Sequence, residues 1–515
     1  MSSSFPWLTA LIVVPLLGAV ALWVLPANRT RAVALGVALL ELVLGVAALT
    51  AFDVADAGSV QLTEVHGWIP AFGVSYAVGV DGVGLSLVLM SVLIVPLVVL
   101  AAWREQGSLT VATENLRRYL ALVLLLEAFI VAVFSARDVF FFYVLFEAML
   151  LPVYFMIGMF GGAQRRYAAV KFLLYSLTGG LIMLVAVIAL YLQGPGGPQG
   201  FLTDNLTGLT LSSTTEKLMF CAFFLAFAIK APMFPVHTWL PDAAQQAPAG
   251  TSTLLVGVLD KVGTFGMLTL CLPLFPAASR WAAPVIIVLA VVSILYGALL
   301  AIGQKDLMRL IAYTSVSHFG FIVLGIFAFT STSIAGSSFY MVNHGLSTAA
   351  LFLIAGFLVA RRGSQQIADF GGLQKVVPVM AGTFLVAGLS ALALPGLSTF
   401  VSEFLVLVGT FARHPAASIV ATLGVVLAAV YVLWTYQRIF TGPVRPGLES
   451  MADLIAREKW VVAPLLGLMV VFGFLPGPAL DLVRPPATVT LDQVGVQDVP
   501  VAATSHITDD EGSDQ

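Results

Sequence analysis

Seven ionisable side chains lie inside apolar stretches long enough to cross a bilayer: Glu127, Glu147, Lys230, Lys261, His318, His344 and Glu403. A charge at that depth is costly unless it is paired, hydrated or neutralised. Carboxylates, ammonium groups and imidazoles together form a set able to hold protons and hand them on. Burial disfavours a charged ammonium and a nearby carboxylate favours it. An imidazole titrates near neutral pH, so it both accepts and donates. One such residue is ordinarily a packed polar group, but seven along one chain point to a charge-conducting path. Lys171, His237 and Asp260 are secondary candidates for the same path, as is Glu127. No cofactor signature accompanies them: there is no Gly-rich nucleotide loop opening a helix after a strand, and no cysteine cluster. Cys221 and Cys271 sit in apolar runs and read as small core residues. His318 and His344 lie on successive spans and could in principle hold a haem between them. The other five groups would then go unexplained.

The elements that must position these groups carry marks of their own. The stretch "FAIKAPMFPVHTWLPDA", Phe227 to Ala243, puts a lysine, three prolines and a histidine where a membrane helix should be featureless. Pro232 and Pro235 remove two backbone donors just after Lys230. Freed carbonyls at membrane depth are tolerated only beside protein or water. The spacing therefore predicts two half-helices over 217–240, with Lys230 at the break. Pro395 and Gly396 predict a second break inside 378–412, eight residues before Glu403. Two broken helices, each carrying one charge, are the mark of an inverted-repeat transporter.

Composition agrees. The 515 residues are 59% hydrophobic and 10% charged, which implies an all-α polytopic membrane protein. The net charge of −3 and the lack of a basic patch disfavour nucleic acid as a partner. The run from Trp7 to Leu25 lacks a basic flank and reads as a retained first helix. Apolar runs predict about fourteen spans, near 5–25, 32–52, 82–103, 117–134, 139–160, 167–193, 217–240, 249–273, 282–302, 306–328, 334–361, 378–412, 417–440 and 459–479. Residues 53–81 and 194–216 read as the longest loops. The polar tail 482–515, ending "DDEGSDQ", reads as disordered. Most of the 24 Lys and Arg fall in alternate loops, among them Arg29, Arg31, Arg165, Arg166, Lys305, Arg361, Arg362 and Arg438. Only Arg137, Lys217, Arg280, Arg413 and Arg484 fall on the other side. The richer side should be cytoplasmic, with both termini outside. Glu147 with His318, Lys171 with His344, and Lys230 with Glu403 share a nearly constant offset of about 172 positions. That predicts two inverted five-helix repeats, 117–273 and 282–440. They follow a three-helix segment, 1–104, and precede one last helix, 459–479.

At these residues a family resemblance becomes specific. "FPVHTWLPDAAQQAPAGTSTLLVGVLDKVGTFG", "FFFYVLFEAMLLPVYFMIGMFGG" and "RLIAYTSVSHFGFIVLGI" resemble the antiporter-like subunits of respiratory complex I. Those subunits are themselves similar to subunits of multi-subunit cation/proton antiporters. The resemblance covers nearly the whole chain. Glu403, in "STFVSEFLVL", stands where sibling subunits L and N typically carry lysine, and the chain stops after its fourteen spans without a long lateral helix. The resemblance implies a proton-translocating subunit of a bacterial plasma-membrane NADH:quinone oxidoreductase. It would work beside subunits L and N in the lipid bilayer, with FMN, iron–sulfur clusters and quinone carried by other subunits. It implies that Glu147 pairs electrostatically with Lys230, that Lys261 is the central connecting lysine, that His318 and His344 continue the path, and that Glu403 ends it. Two positions depart from the family: Ala244 stands where histidine is frequent, and Asp260 where the residue is usually apolar. Asp260 could give Lys261 a counter-charge or could face away. The alternative reading is a subunit of a Na⁺/proton antiporter. A quinone-binding subunit and an inert scaffold are weaker rivals.

Overall fold

The computed structural model describes residues 5–103 and 113–499. In chain order, α1 (Trp7–Val24) and α2 (Thr30–Ala51) are followed by a β-hairpin, β1 (Gln61–Ile69) and β2 (Val74–Val80). Next come α3 (Gly82–Ala102), α4 (Thr113–Ser135), α5 (Val139–Ala148), α6 (Leu150–Phe160) and α7 (Arg165–Gln193). Then follow α8 (Ser213–Lys230), α9 (Trp239–Gln246), α10 (Ala249–Leu274), α11 (Pro276–Ile302) and α12 (Leu307–Phe327). The chain continues with α13 (Ser331–Arg362), α14 (Pro378–Ala391), α15 (Ser398–Arg413), α16 (Pro415–Phe440), α17 (Ala456–Phe474) and α18 (Gly477–Val494). Among the described residues, eleven helical segments are long and apolar enough to cross a membrane, counting α5–α6 as one, or twelve with the bent pair α17–α18. Both expected breaks are present. One separates α8 from α9 and the other separates α14 from α15.

Local sequence sets the ends of these helices. Asp81, Asp138 and Asp306 each accept a hydrogen bond from a backbone N–H three residues on, closing the first turns of α3, α5 and α12. The centre of the bundle is α12 and α13, buried along nearly their whole length. Glycines permit close contact there. A Cβ on Gly320 would stand 2.7 Å from Ala290 O, and one on Gly297 2.7 Å from Ser317 N, so α11 and α12 touch backbone to backbone.

Two stretches differ from the sequence reading. The segment 53–81 is not a plain loop, because Gln61–Ile69 pairs antiparallel with Val74–Val80. Its β-branched and aromatic residues suit strands, and Gly73, at φ 72°, supplies the left-handed turn between them. The hairpin is tied to α1, where Thr9 Oγ1 donates to Glu64 Oε2 at 2.5 Å and lies 2.6 Å from the Tyr76 hydroxyl. The second difference is the tail. Residues 482–494 are helical, not disordered, and bend 72° away from α17. Leu480, Val483, Ala487, Leu491 and Val494 recur at helical spacing and are buried, although the helix is too polar to stand out as a span. The Arg280 guanidinium donates to the Val494 carbonyl at its end. Residues 495–499 follow without helix, with Asp498 accepting from Ser331 N at 3.1 Å and the Gln497 carbonyl accepting from Arg413; the tail beyond 499, and the boundary at 104, lie outside the described residues.

Candidate functional site

Lys261 stands at the centre. It follows a π-helical turn, Leu255–Leu259, and precedes another, Met267–Cys271. In a π turn the backbone bonds reach five residues back, as Asp260 N does to Leu255 O at 3.0 Å. The Lys261 ammonium donates to Val256 O at 2.5 Å and lies 2.8 Å from His344 Nδ1 on α13. The rings of His344 and His318 come within 5.2 Å, centroid to centroid. His318 Nδ1 is 2.7 Å from the Tyr340 hydroxyl, which donates to Glu403 Oε2 at 2.7 Å. Tyr340 has one proton and gives it to Glu403, so its oxygen accepts from His318 Nδ1–H. His318 Nε2 is then the acceptor facing the Tyr431 hydroxyl at 3.4 Å. Hydrogen bonds thus join Lys261 to His344, and His318 through Tyr340 to Glu403. The one open step is between the imidazoles, where His344 Nε2 has no protein partner. Two rings this close leave no slot for a porphyrin, which removes the haem reading.

The second break brings Glu403 to this line. Ala393, at φ 60°, and Gly396, at φ 92°, turn the chain between α14 and α15. A Cβ on Gly473 would stand 2.2 Å from Gly396 O, so α17 closes over the turn. Asn343 Nδ2 donates to Ser398 O at 3.0 Å and to Ser402 Oγ at 3.3 Å, holding the new helix start against α13.

The first break ends α8 at Lys230. Pro232 cannot serve the Ala228 carbonyl, and Met233 N takes that place at 3.0 Å. The Trp239 indole donates to Ile229 O at 2.9 Å. These two freed carbonyls are therefore satisfied by protein groups. Lys230 is buried, has no hydrogen-bond partner, and its ammonium stands 4.8 Å from the Phe146 ring centroid and 5.9 Å from that of Phe172. Glu147 ends the first part of the α5–α6 span, and its carboxylate also lacks a hydrogen-bond partner. No ion pair within 4 Å joins it to Lys230 among the described residues, so their interaction acts over a longer range. The carboxylate rests over Gly180 of α7, where a Cβ would stand 1.6 Å from Oε1. Gly180→Ala should therefore displace Glu147 and cut turnover about tenfold, the scale of a one-unit change in proton affinity. Steady-state NADH oxidation by the assembled complex checks this. Wild-type turnover would show that the exact seat of Glu147 does not matter.

The secondary candidates divide. Asp260 is fully buried and neither of its oxygens has a hydrogen-bond partner. Lys171 lies off the line. It bonds Asp242 at 2.6 Å, and Arg309 of α12 holds the same carboxylate, so the half-helix α9 is pinned to α7 and α12. His237 is buried without a partner in a ring of Phe234, Tyr296 and Tyr313. Glu127 is buried on α4, which packs on α2, and α2 carries Glu41, a buried acid that the sequence reading passes over. A Cβ on Gly18 would meet Val37 at 2.7 Å and Leu124 at 3.1 Å, and one turn on from these residues α2 and α4 carry Glu41 and Glu127. Tyr340 is the other residue that the sequence reading misses. A tyrosine in an apolar span reads as packing, and only its two hydrogen bonds reveal it. Among the described residues, no group of three or more His, Cys, Asp and Glu converges as a metal would require.

Comparison with known proteins shows the family of the chain. The family described as "NADH:quinone oxidoreductase/Mrp antiporter, TM" matches residues 136–428. NADH-quinone oxidoreductase subunit M of Mycobacterium tuberculosis (strain CDC 1551 / Oshkosh) is 47% identical, over 98% of this chain and 97% of its own length. The subunit M of Rhodobacter capsulatus is 37% identical, over 89% of this chain and 90% of its own. A chain in the structure of respiratory complex I from Thermus thermophilus with bound NADH superposes with a TM-score of 0.86 at 32% identity, over 95% of this chain and all of that one. With similarity that runs the length of the chain and includes both breaks, the chain belongs to the NADH-quinone oxidoreductase subunit M family.

Proposed function

We propose that this chain is the antiporter-like subunit through which an NADH:quinone oxidoreductase moves protons, along Glu147, Lys230, Lys261, His344, His318, Tyr340 and Glu403. The observation that carries the reading is the buried series from Lys261 to Glu403, hydrogen-bonded at every step but the one between the His344 and His318 rings. Lys261 gives a proton to His344 Nδ1, and the imidazole releases its Nε2 proton toward His318 Nε2. His318 then passes its Nδ1 proton to the Tyr340 oxygen as Tyr340 passes its own to Glu403. Movement of the Glu147 charge away from Lys230 makes Lys230 release its proton. FMN, iron–sulfur clusters and quinone belong to other subunits, whose redox chemistry supplies the energy. Neighbours L and N, the bacterial plasma membrane and termini on the outer side complete the reading. So does counting α8–α9 and α14–α15 as interrupted spans of two inverted repeats, 117–273 and 282–440.

The test is NADH-driven, quinone-dependent proton uptake into vesicles carrying the assembled complex. Lys261→Met should abolish uptake, and wild-type uptake would overturn the reading. Tyr340→Phe keeps the ring and removes the link. It should lower uptake about tenfold, the effect of a one-unit change in proton affinity along the series. Na⁺-driven exchange that persists without NADH would favour the antiporter alternative instead.

A further inference from the structure

The proposed line has a gap. From Lys261 onward, hydrogen bonds reach His344 and, past the open step between the imidazoles, run from His318 to Glu403. Between Lys230 and Lys261 no direct bond exists, since Lys230 has no hydrogen-bond partner and the Lys261 ammonium turns to Val256 O and His344. Asp260 occupies this gap. The stripe Asp260, Gly263, Gly266 repeats every three residues, so it forms one face of α10. That face lies on the end of α8. A Cβ on Gly263 would stand 2.6 Å from both Phe227 O and Ala231 N, and one on Gly266 2.5 Å from the Phe227 ring. Moving back along α10, Gly266 meets Phe227 and Gly263 meets Phe227 and Ala231. Asp260, one turn further, comes level with the Lys230 end. Its carboxylate is fully buried and neither oxygen has a partner. The buried titratable groups on the elements packed here include Glu127 on α4, Lys230 on α8, and Tyr340 and His344 on α13, with Lys261 next to Asp260 on α10 itself. Helix α3 brings no titratable side chain.

We propose that Asp260 carries protons between Lys230 and Lys261, an inference that rests on the proton line described above. In the first step the Lys230 ammonium gives a proton to the Asp260 carboxylate, leaving a neutral amine and a carboxylic acid. In the second the acid gives that proton to the neutral Lys261 amine, restoring the carboxylate and forming the second ammonium. One proton moves, one negative charge serves both lysines in turn, and no other reactant is needed. A single carboxylate beside two buried ammonium groups also keeps both from being charged together at low cost.

The experiment uses the assembled complex in vesicles with Asp260→Asn, Asp260→Leu and Asp260→Glu, alongside Lys230→Met and Lys261→Met. Proton uptake driven by NADH is measured across a pH series. Asn and Leu should each lower uptake about tenfold, the effect of a one-unit loss of proton affinity at a neighbour. The alkaline limb of the rate profile should move to lower pH, because the lysines lose the carboxylate that favours their charged form. Glu should restore most of the rate. Unchanged rate and profile in Asn, with both lysine variants dead, would overturn the role of Asp260 and leave the line standing. Wild-type uptake in the lysine variants would overturn the line itself. Equal losses in Asn, Leu and Glu with an unmoved profile would make Asp260 a packing group and overturn the proposal. If Asn fails to assemble, Leu, an apolar side chain in a buried site, carries the test with the same outcomes.

Discussion

Replacing Glu403 with Gln should stop NADH-driven proton uptake, whereas Glu403→Lys should keep part of it. Glu403 is the last group in the buried hydrogen-bonded series and receives the Tyr340 hydroxyl at 2.7 Å. Glutamine preserves size and can still accept that hydrogen bond, but it takes no proton. The loss should exceed about 100-fold, the lower range of what a positioned acid or base contributes. Lysine can hold a proton and release it, so a relay that needs only an exchangeable proton survives in part. The hydroxyl of Tyr340 would then donate to the neutral amine or accept from the ammonium, and a phenol can do both. Proton uptake into vesicles, with assembly checked on the same preparation, decides the matter. Equal loss in both variants would mean that the line needs the negative charge of Glu403 and not merely its proton.

Removing the charge at the first break should be equally severe. Lys230→Met keeps an unbranched side chain against Phe146 and Phe172 while removing the ammonium, and uptake should fall by more than about 100-fold. Glu147→Gln should impair turnover clearly, and Glu147→Asp should be milder. Glu147 and Lys230 form no close ion pair, so the carboxylate acts through its field and not through a fixed hydrogen bond. A field falls off smoothly with distance, so shortening the acid by one methylene costs less than neutralising it. If Gln and Asp behave alike, the charge of Glu147 is not what Lys230 responds to.

Much of this was legible in the chain because prolines and charges are conspicuous in an apolar background. Pro232 with Pro235, and Pro395 with Gly396, located both breaks. The lysines, histidines and acids make up most of the proposed line. What stayed hidden was written in residues whose part shows only through their neighbours on other helices. Tyr340 differs from a core tyrosine only through His318 and Glu403, which lie on other helices. Glu41 sits in a span with no break to draw attention to it, and only the Gly18 contact with Val37 and Leu124 reveals its relation to Glu127. The helix over 477–494 escaped because its apolar residues form a stripe and not a run. The pairing of Glu147 with Lys230 is a different case. The family resemblance implied an electrostatic pair, but the position of the carboxylate over Gly180, with no ion pair to Lys230 among the described residues, depends on how α5 and α7 pack.

The two π turns around Lys261 have a consequence for phase. Each residue in an α-helix advances about 100° around the axis, from 3.6 residues per turn. A π turn takes in one more residue than an α turn. The angular setting of Lys261 is therefore offset by about one residue step, roughly 100°, from where an unbroken α-helix would carry it relative to the Ala249–Leu254 stretch before it, and the second π turn offsets the Leu272–Leu274 stretch after it in the same way. Both ends of the span can keep their packing while the middle is dialled to face His344 on one side and α8 on the other. A single-residue deletion among Leu255–Leu259 would turn the wide turn into an α turn and leave the lysine facing the imidazole, whereas a one-residue insertion there would swing it away with every side chain of the line still present.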